Sequence, residues 1–380
     1  MQSQKRNIAA LAIIMASIST AMANTGMVAL TDQDMANQTG QALLNLSNVA
    51  PGQAGNPNTN VGFYRLGMEA KLELNANIRK LQLGCGGANG ADACDVDIDR
   101  LRFSGFTGTQ DIDDDKGPLT DFVLNNPFIE FAIKNPTSAS TREIVGLRLG
   151  AAQAQGIMSF GERPYNADGT SKQDTNVANH SGINRLSADM NLTVTNGNTP
   201  VTFGFFGGVG TATINKDTPA AGDNVFINQY FSRASSFEIA PLKARFSVFG
   251  IPTNIEIRLL EDFRFIHSIS IGSATTPAND FYISLSSLGN NLVEDKNTDE
   301  FIANFKPVND ASWIKWQKTN GTWNPSARGW SFSLPDVSVS NFTTDPVALG
   351  GGGGLFEKTL TNLDLNQVPV DNCYGGLTFC

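Results

Sequence analysis

The longest strict alternation of apolar and polar residues runs from Met68 to Arg79, with Met68, Ala70, Leu72, Leu74, Ala76 and Ile78 at every second place. A period of two predicts a strand with one buried and one wet face. Beyond Ile78 the apolar positions move to Leu81 and Leu83, which requires a bend or bulge near Lys80. The same slip recurs at Ile98/Leu101/Phe103, Ile144/Leu147/Leu149, Ile266/Ile269/Ile271, Leu334/Val337/Val339 and Leu360/Leu363/Leu365. A strand, a corner and a second strand give this spacing, as in the coils of a β-solenoid or the strand-switching bends of a β-sandwich. Chance recurrence in a chain that is 41% apolar is the competing explanation.

Further strands are predicted over Phe128 to Lys134, Leu186 to Thr195, Val201 to Phe206, Phe237 to Phe249, Asn254 to Leu260, Phe281 to Leu285 and Trp330 to Leu334. Pro, Gly, Asn and Asp fill the loops at 50–60, 164–182, 215–224 and 289–298. Helix is confined to two short candidates, Thr31 to Leu44 and Glu300 to Phe305. The expected fold is all-β, with an elongated solenoid-like or sandwich-like body and little helix.

The head of the chain has a different character. Lys5 and Arg6 precede an apolar run from Ile8 to Ile18 that ends in Ala21-Met22-Ala23, the order of a cleavable secretory signal peptide. The expected organisation is a signal peptide over 1–23, an N-terminal segment over 24–60, a β-rich body over 61–349, a glycine hinge over 350–354 and a C-terminal strand segment over 355–380. Gly350, Gly352 and Gly354 belong to the pentaglycine hinge, which reads as flexible because glycine loses the most entropy on ordering. The strand beyond it could pair within its own chain or with a neighbour's open sheet edge. No stretch has the apolar length of a transmembrane helix.

An exported chain meets oxidising conditions, and this gives the four cysteines a meaning. They fall as local pairs, Cys85 with Cys94 and Cys373 with Cys380, and the simplest connectivity joins each pair, although three pairings are open. A metal site is the rival reading, but His180 and His267 lie far from both pairs in sequence. The net charge of −9 argues against nucleic acid, which requires a clustered basic surface.

Catalytic motifs of the common hydrolase, zinc-protease, nucleotide-binding and haem-attachment types do not occur. His180 reads as an exposed loop residue and His267 as a wet-face strand residue. The best ligand candidate is a calcium site at Asp111, Asp113 and Asp115, ahead of Gly117. Alternating carboxylates before a glycine turn suit a hard cation, but the glycine is late and Phe122 stands where the bidentate acid belongs, so a solvated acidic loop is the alternative. Asp95, Asp97 and Asp99 read most simply as the wet face of a strand.

Several blocks carry a resemblance. The stretch Leu30 to Ala42, LQLGCGG at 81–87, CDVDID at 94–99, NPFIEFAIKNP at 126–136, STREIVGLRLGA at 140–151 and the closing DNCYGGLTFC resemble exported β-rich surface proteins of Gram-negative bacteria, of the Acinetobacter Fil-type pilus assembly group. The resemblance covers both ends and the first third of the chain. It implies a role in a cell-surface filament or its assembly and brings no catalytic motif. The expected function is therefore a secreted, non-enzymatic structural or assembly protein, located in the periplasm, at the outer-membrane surface or outside the cell. Its expected partners are copies of itself or other envelope or pilus proteins. The alternatives are an outer-membrane β-barrel and a secreted β-helix protein that binds or acts on polysaccharide.

Overall fold

Alternation this pervasive folds as expected: the protein is all-β. The computed structural model describes residues 43–369 except 54, 87–93, 107–119, 165–173, 175, 196, 204–207, 215–224, 249–250, 290–312, 327, 341–342, 345–346, 350–356 and 368; for most of 195–259 and 340–359 it describes the backbone alone. The architecture below is that of the compact unit that begins at Asn45.

In chain order the strands are β1 (Leu44–Val49), β2 (Val61–Met68), β3 (Lys71–Leu74), β4 (Ala76–Leu83), β5 (Val96–Ser104), β6 (Phe122–Lys134), β7 (Glu143–Ser159), β8 (Ile183–Thr195), β9 (Gly197–Phe203) and β10 (Gly208–Ile214). They continue with β11 (Val225–Ala234), β12 (Ser236–Val248), β13 (Ile251–Asp262), β14 (Ser268–Ile271), β15 (Ala278–Ser286), β16 (Ile314–Gln317), β17 (Trp323–Ser326), β18 (Gly329–Ser340), β19 (Val347–Leu349) and β20 (Glu357–Thr361). Two single 3-10 turns, Val177–Asn179 and Phe263–Phe265, are the helical elements among the described residues. No helix there is long and apolar enough to cross a membrane. The two predicted helices fall outside the described residues, apart from the end of the first, where Leu44 opens β1.

A twelve-stranded sheet runs in the order β1-β2-β6-β7-β14-β18-β8-β5-β4, with β3, β11 and β15 paired alongside. A six-stranded sheet takes the order β19-β9-β10-β12-β13-β20, and β16 with β17 forms a separate hairpin. The large sheet returns on itself. β7 pairs with β5, β5 with β8 and β8 with β18, while β14 and β15 each bridge β18 back to β7. The larger apolar cluster draws on every strand of this circuit, including Ile98 and Leu101 of β5, Met158 of β7, Leu192 of β8, Ile271 of β14, Phe281 of β15 and Val337 of β18. A closed run of strands satisfies backbone groups that an open edge leaves bare, and side chains fill its interior.

A second cluster lies where the hairpin covers β2, β6, β7 and β15. It comprises Val61, Phe63, Phe128, Ala132, Val145, Tyr282, Ile314 and Trp316. Residues 44–60, placed by sequence in a separate N-terminal segment, are built into this part. β1 lies beside β2, and Asn58 donates to the carbonyl of Lys315 and accepts from its amide, both at 3.0 Å.

Two expectations need revision in detail, and a third holds. The run from Met68 to Arg79 is not one strand: β2 and β3 pair successively with β6, and β4 leaves for β5. The break falls where Asn126 of β6, at φ +52°, donates its amide to Ala70. The slip at Leu334/Val337 is a genuine β-bulge, with Asp336 at φ +50° and the register to β8 shifting between those two residues. The slip at Ile144/Leu147/Leu149 has its faces reversed. A bulge opposite Ala132/Ile133 puts Val145 and Arg148 in the interior, while Ile144 is 62% exposed and Leu149 40%. The strand beyond the pentaglycine run, β20, pairs parallel with β13 of its own chain.

Candidate functional site

Arg148 is the most buried charge of the hairpin-covered layer, with relative exposure of 0%. Its partner is fixed by register, because Glu130 of β6 stands directly opposite it. Each residue is a lone charge within an apolar stretch, Phe128 to Phe131 and Val145 to Leu149. Arg148 donates through Nε to Glu130 Oε2 and through Nη2 to the Gln317 carbonyl at 2.8 Å. Arg65 takes the other carboxylate oxygen, Nε to Oε1 at 3.3 Å. The Arg148 guanidinium is 4.9 Å from the Tyr282 ring centroid and 5.1 Å from those of Phe128 and Trp316, a face-on setting that favours a cation. Burial lowers the Arg65 pKa, against the opposing pull of Glu130.

Above this cluster a cleft of about 320 Å³ opens between β1 and the hairpin tip, lined by Ser47, Arg65, Glu130, Lys318 and Thr319 among others. Lys318 Nζ lies 3.7 Å from Asp189, whose pKa is raised by burial. The cleft therefore presents one half-buried guanidinium and one ammonium, both already facing carboxylates.

A second buried ionic group lies at the end of β7. Arg163 Nη2 donates to both oxygens of Asp364 at 2.9 and 2.8 Å, and Nη1 to Asn366 Oδ1 at 2.8 Å. Beside it are His180 and His267, 5% and 0% exposed, with ring nitrogens 3.1 Å apart. The structure thus corrects both histidine expectations: His180 follows its 3-10 turn in a loop but is buried rather than exposed, and His267 is buried in the link ahead of β14 rather than on the wet face of a strand. Burial, the largest influence, lowers the His267 pKa to about 4. Glu261 is buried nearby in sequence order at the end of β13, accepts from the Leu363 amide at 3.2 Å, and is held well above the ordinary carboxyl range by desolvation.

The cysteine expectation is met for one pair, since Cys85 and Cys94 form a disulfide. Cys373 and Cys380 lie outside the described residues, as do the calcium candidates Asp111, Asp113 and Asp115 and the hinge glycines Gly350, Gly352 and Gly354. Asp97 and Asp99 do form a wet face: they share Lys80, and Asn184 donates to both. Asp95 departs from it. Just ahead of β5 it turns inward, 2% exposed, accepting from the Trp330 amide at 3.0 Å and pairing with Arg233 at 3.2 Å. Among the described residues no group of three His, Cys, Asp or Glu is placed to hold a metal ion.

The signals that sequence reading missed were quiet ones. Arg148 and Glu130 are opposite charges each isolated in an apolar run, and the chain has two histidines in all. Comparison with protein-family models, curated proteins and solved structures returned no match.

Proposed function

We propose that the chain is an exported, non-enzymatic structural or assembly protein of the bacterial cell surface, associated with a pilus or another filament. The observation that carries this reading is how the fold uses its chemistry-bearing side chains. Arg148, Arg65 and Glu130 hold one another, Arg163 holds Asp364, and the histidines face each other and bond to backbone carbonyls. Mutual pairing of this kind supports a bracing role for these groups. The Cys85–Cys94 disulfide suits an oxidising compartment, and the head of the chain supports export. The resemblance of several sequence blocks to Fil-type proteins suggests the filament component. β1 supports self-association or contact with other envelope proteins, because it ends the strand order of its sheet and carries no charge or proline.

Negative-stain microscopy of the mature protein, and of cells with and without the gene, tests the proposal. Ordered assemblies, or surface filaments that vanish with the gene, are expected. Monomers that never assemble, together with unchanged cell surfaces, would reject it.

One observation favours a second reading, the outer-membrane barrel. Tyr64, Leu66 and Met68 of β2 share an exposed apolar face with Ile144 and Leu149 of β7. A barrel inserted in detergent changes its electrophoretic migration on boiling; equal migration of boiled and unboiled samples eliminates this alternative.

A further inference from the structure

The chain contains two histidines, 87 residues apart, and folding brings them nitrogen to nitrogen in the interior. We propose that His180 and His267 bind a single proton in common, and that this proton latches segment 176–181 onto the link ahead of β14.

The argument is a count of protons. His180 Nε2 lies 2.7 Å from the Asp174 carbonyl and His267 Nδ1 lies 3.0 Å from the Phe160 carbonyl. Carbonyl oxygens only accept, so each of these ring nitrogens carries a hydrogen. Two neutral imidazoles then have no proton left for His180 Nδ1 and His267 Nε2, which stand 3.1 Å apart. The ring planes are 22° apart and the centroids 5.4 Å, the separation reached when the N···N line runs end to end through both rings. Two lone pairs opposed along that line repel. A third proton converts the repulsion into an N–H···N bond with one positive charge on the pair.

A proton also fits the gap. A metal on a straight N–metal–N axis would hold the nitrogens about 4 Å apart, given N–metal bonds of ~2.0–2.1 Å. The surroundings accept one charge and resist two. The Phe265 ring lies 4.5 Å from the His180 ring, a neighbour that favours an imidazolium. Asp364 favours a charge on His267 and Arg163 opposes it. Just ahead of the segment, the Asp174 carboxylate is occupied by the Asn176 amide at 2.8 Å and Asn179 Nδ2 at 2.7 Å. On the 3-10 turn, Arg264 is directed at Asp262, 2.9 Å away. With His267 resisting its own protonation, the cationic form is His180 donating to His267.

The shared proton matters because few ties hold the segment. Ser181 donates its amide to the Glu162 carbonyl at 3.2 Å, and its Oγ accepts the Glu162 amide at 2.9 Å. Gly161 lets the chains approach this closely. It sits at φ +62°, and a Cβ there would strike the Ser181 backbone.

Nuclear magnetic resonance of the full chain with ¹⁵N-labelled histidine tests the proposal. At about pH 5 the expected result is one strongly deshielded proton coupled to both His180 Nδ1 and His267 Nε2. On moving to about pH 8, amide-exchange protection of Asn179 and His180, corrected for intrinsic rate, should fall about tenfold or more as a charged hydrogen bond is lost. In His267→Gln an amide N–H replaces the missing donor, so protection should become insensitive to pH, with β8 amides reporting that the fold is kept. Independent titration of two uncoupled rings in the wild-type chain, or protection there that does not change with pH, would overturn the proposal whatever the variant does.

Discussion

Arg148 shows how much one residue can depend on its neighbours. Desolvating a guanidinium costs several kcal/mol, and here Glu130, the Gln317 carbonyl and three aromatic faces offset that cost. Removing one partner leaves the other charged and buried. Arg148→Met is therefore expected to destabilise the protein by about 3–5 kcal/mol in urea unfolding, whereas Arg148→Met with Glu130→Leu should recover much of the loss. A single substitution as mild as the double one would mean that the charges do not depend on each other. The pair could have been suspected from sequence, since each charge interrupts an apolar stretch. Its partner assignment could not, because that required the register of β6 on β7.

At the scale of elements, the bulges decide which face of each strand points inward. The slip at Leu334/Val337 was readable because the extra residue keeps apolar side chains on the core side, and Asp336 takes the left-handed conformation that makes room for it. The slip at Ile144/Leu147/Leu149 misled, since pairing with β6 shifts by one residue near Ala132 and turns the leucines outward. The β4–β5 pair carries the other local constraint. Its strands are joined by a connection in which Cys85 and Cys94 close a loop with a sequence separation of nine. Replacing both cysteines by serine should lower stability by about 2–3 kcal/mol, and a reducing agent should reproduce the loss in the parent protein. Equal midpoints for oxidised and reduced protein would show that the link constrains little of the unfolded chain.

For the molecule as a whole, buried titratable groups set the response to acid. His267 stays neutral in the folded protein down to about pH 4, while the unfolded chain protonates it near the ordinary histidine value of 6.5. Between those values the unfolded state binds more protons, so stability rises with pH. The contribution is complete above 6.5 and lost progressively as the pH falls to about 4, a total on the order of 3 kcal/mol. The unfolding midpoint of the parent protein should therefore fall as the pH is lowered through this window. A midpoint that stays level from pH 6.5 to about 4 would remove the buried histidines as a source of acid sensitivity.

The sequence by itself determined that this is a β protein and where most strands lie, and it made a Cys85–Cys94 loop the simplest of three pairings, because alternation, turn residues and short cysteine spacing are properties of neighbouring residues. Only the tertiary structure decided which strands pair, which face of β7 is interior, and that Arg148 meets Glu130 and His180 meets His267. These outcomes depend on register between distant segments. A period of two leaves register open, and a shift of one residue exchanges inside for outside.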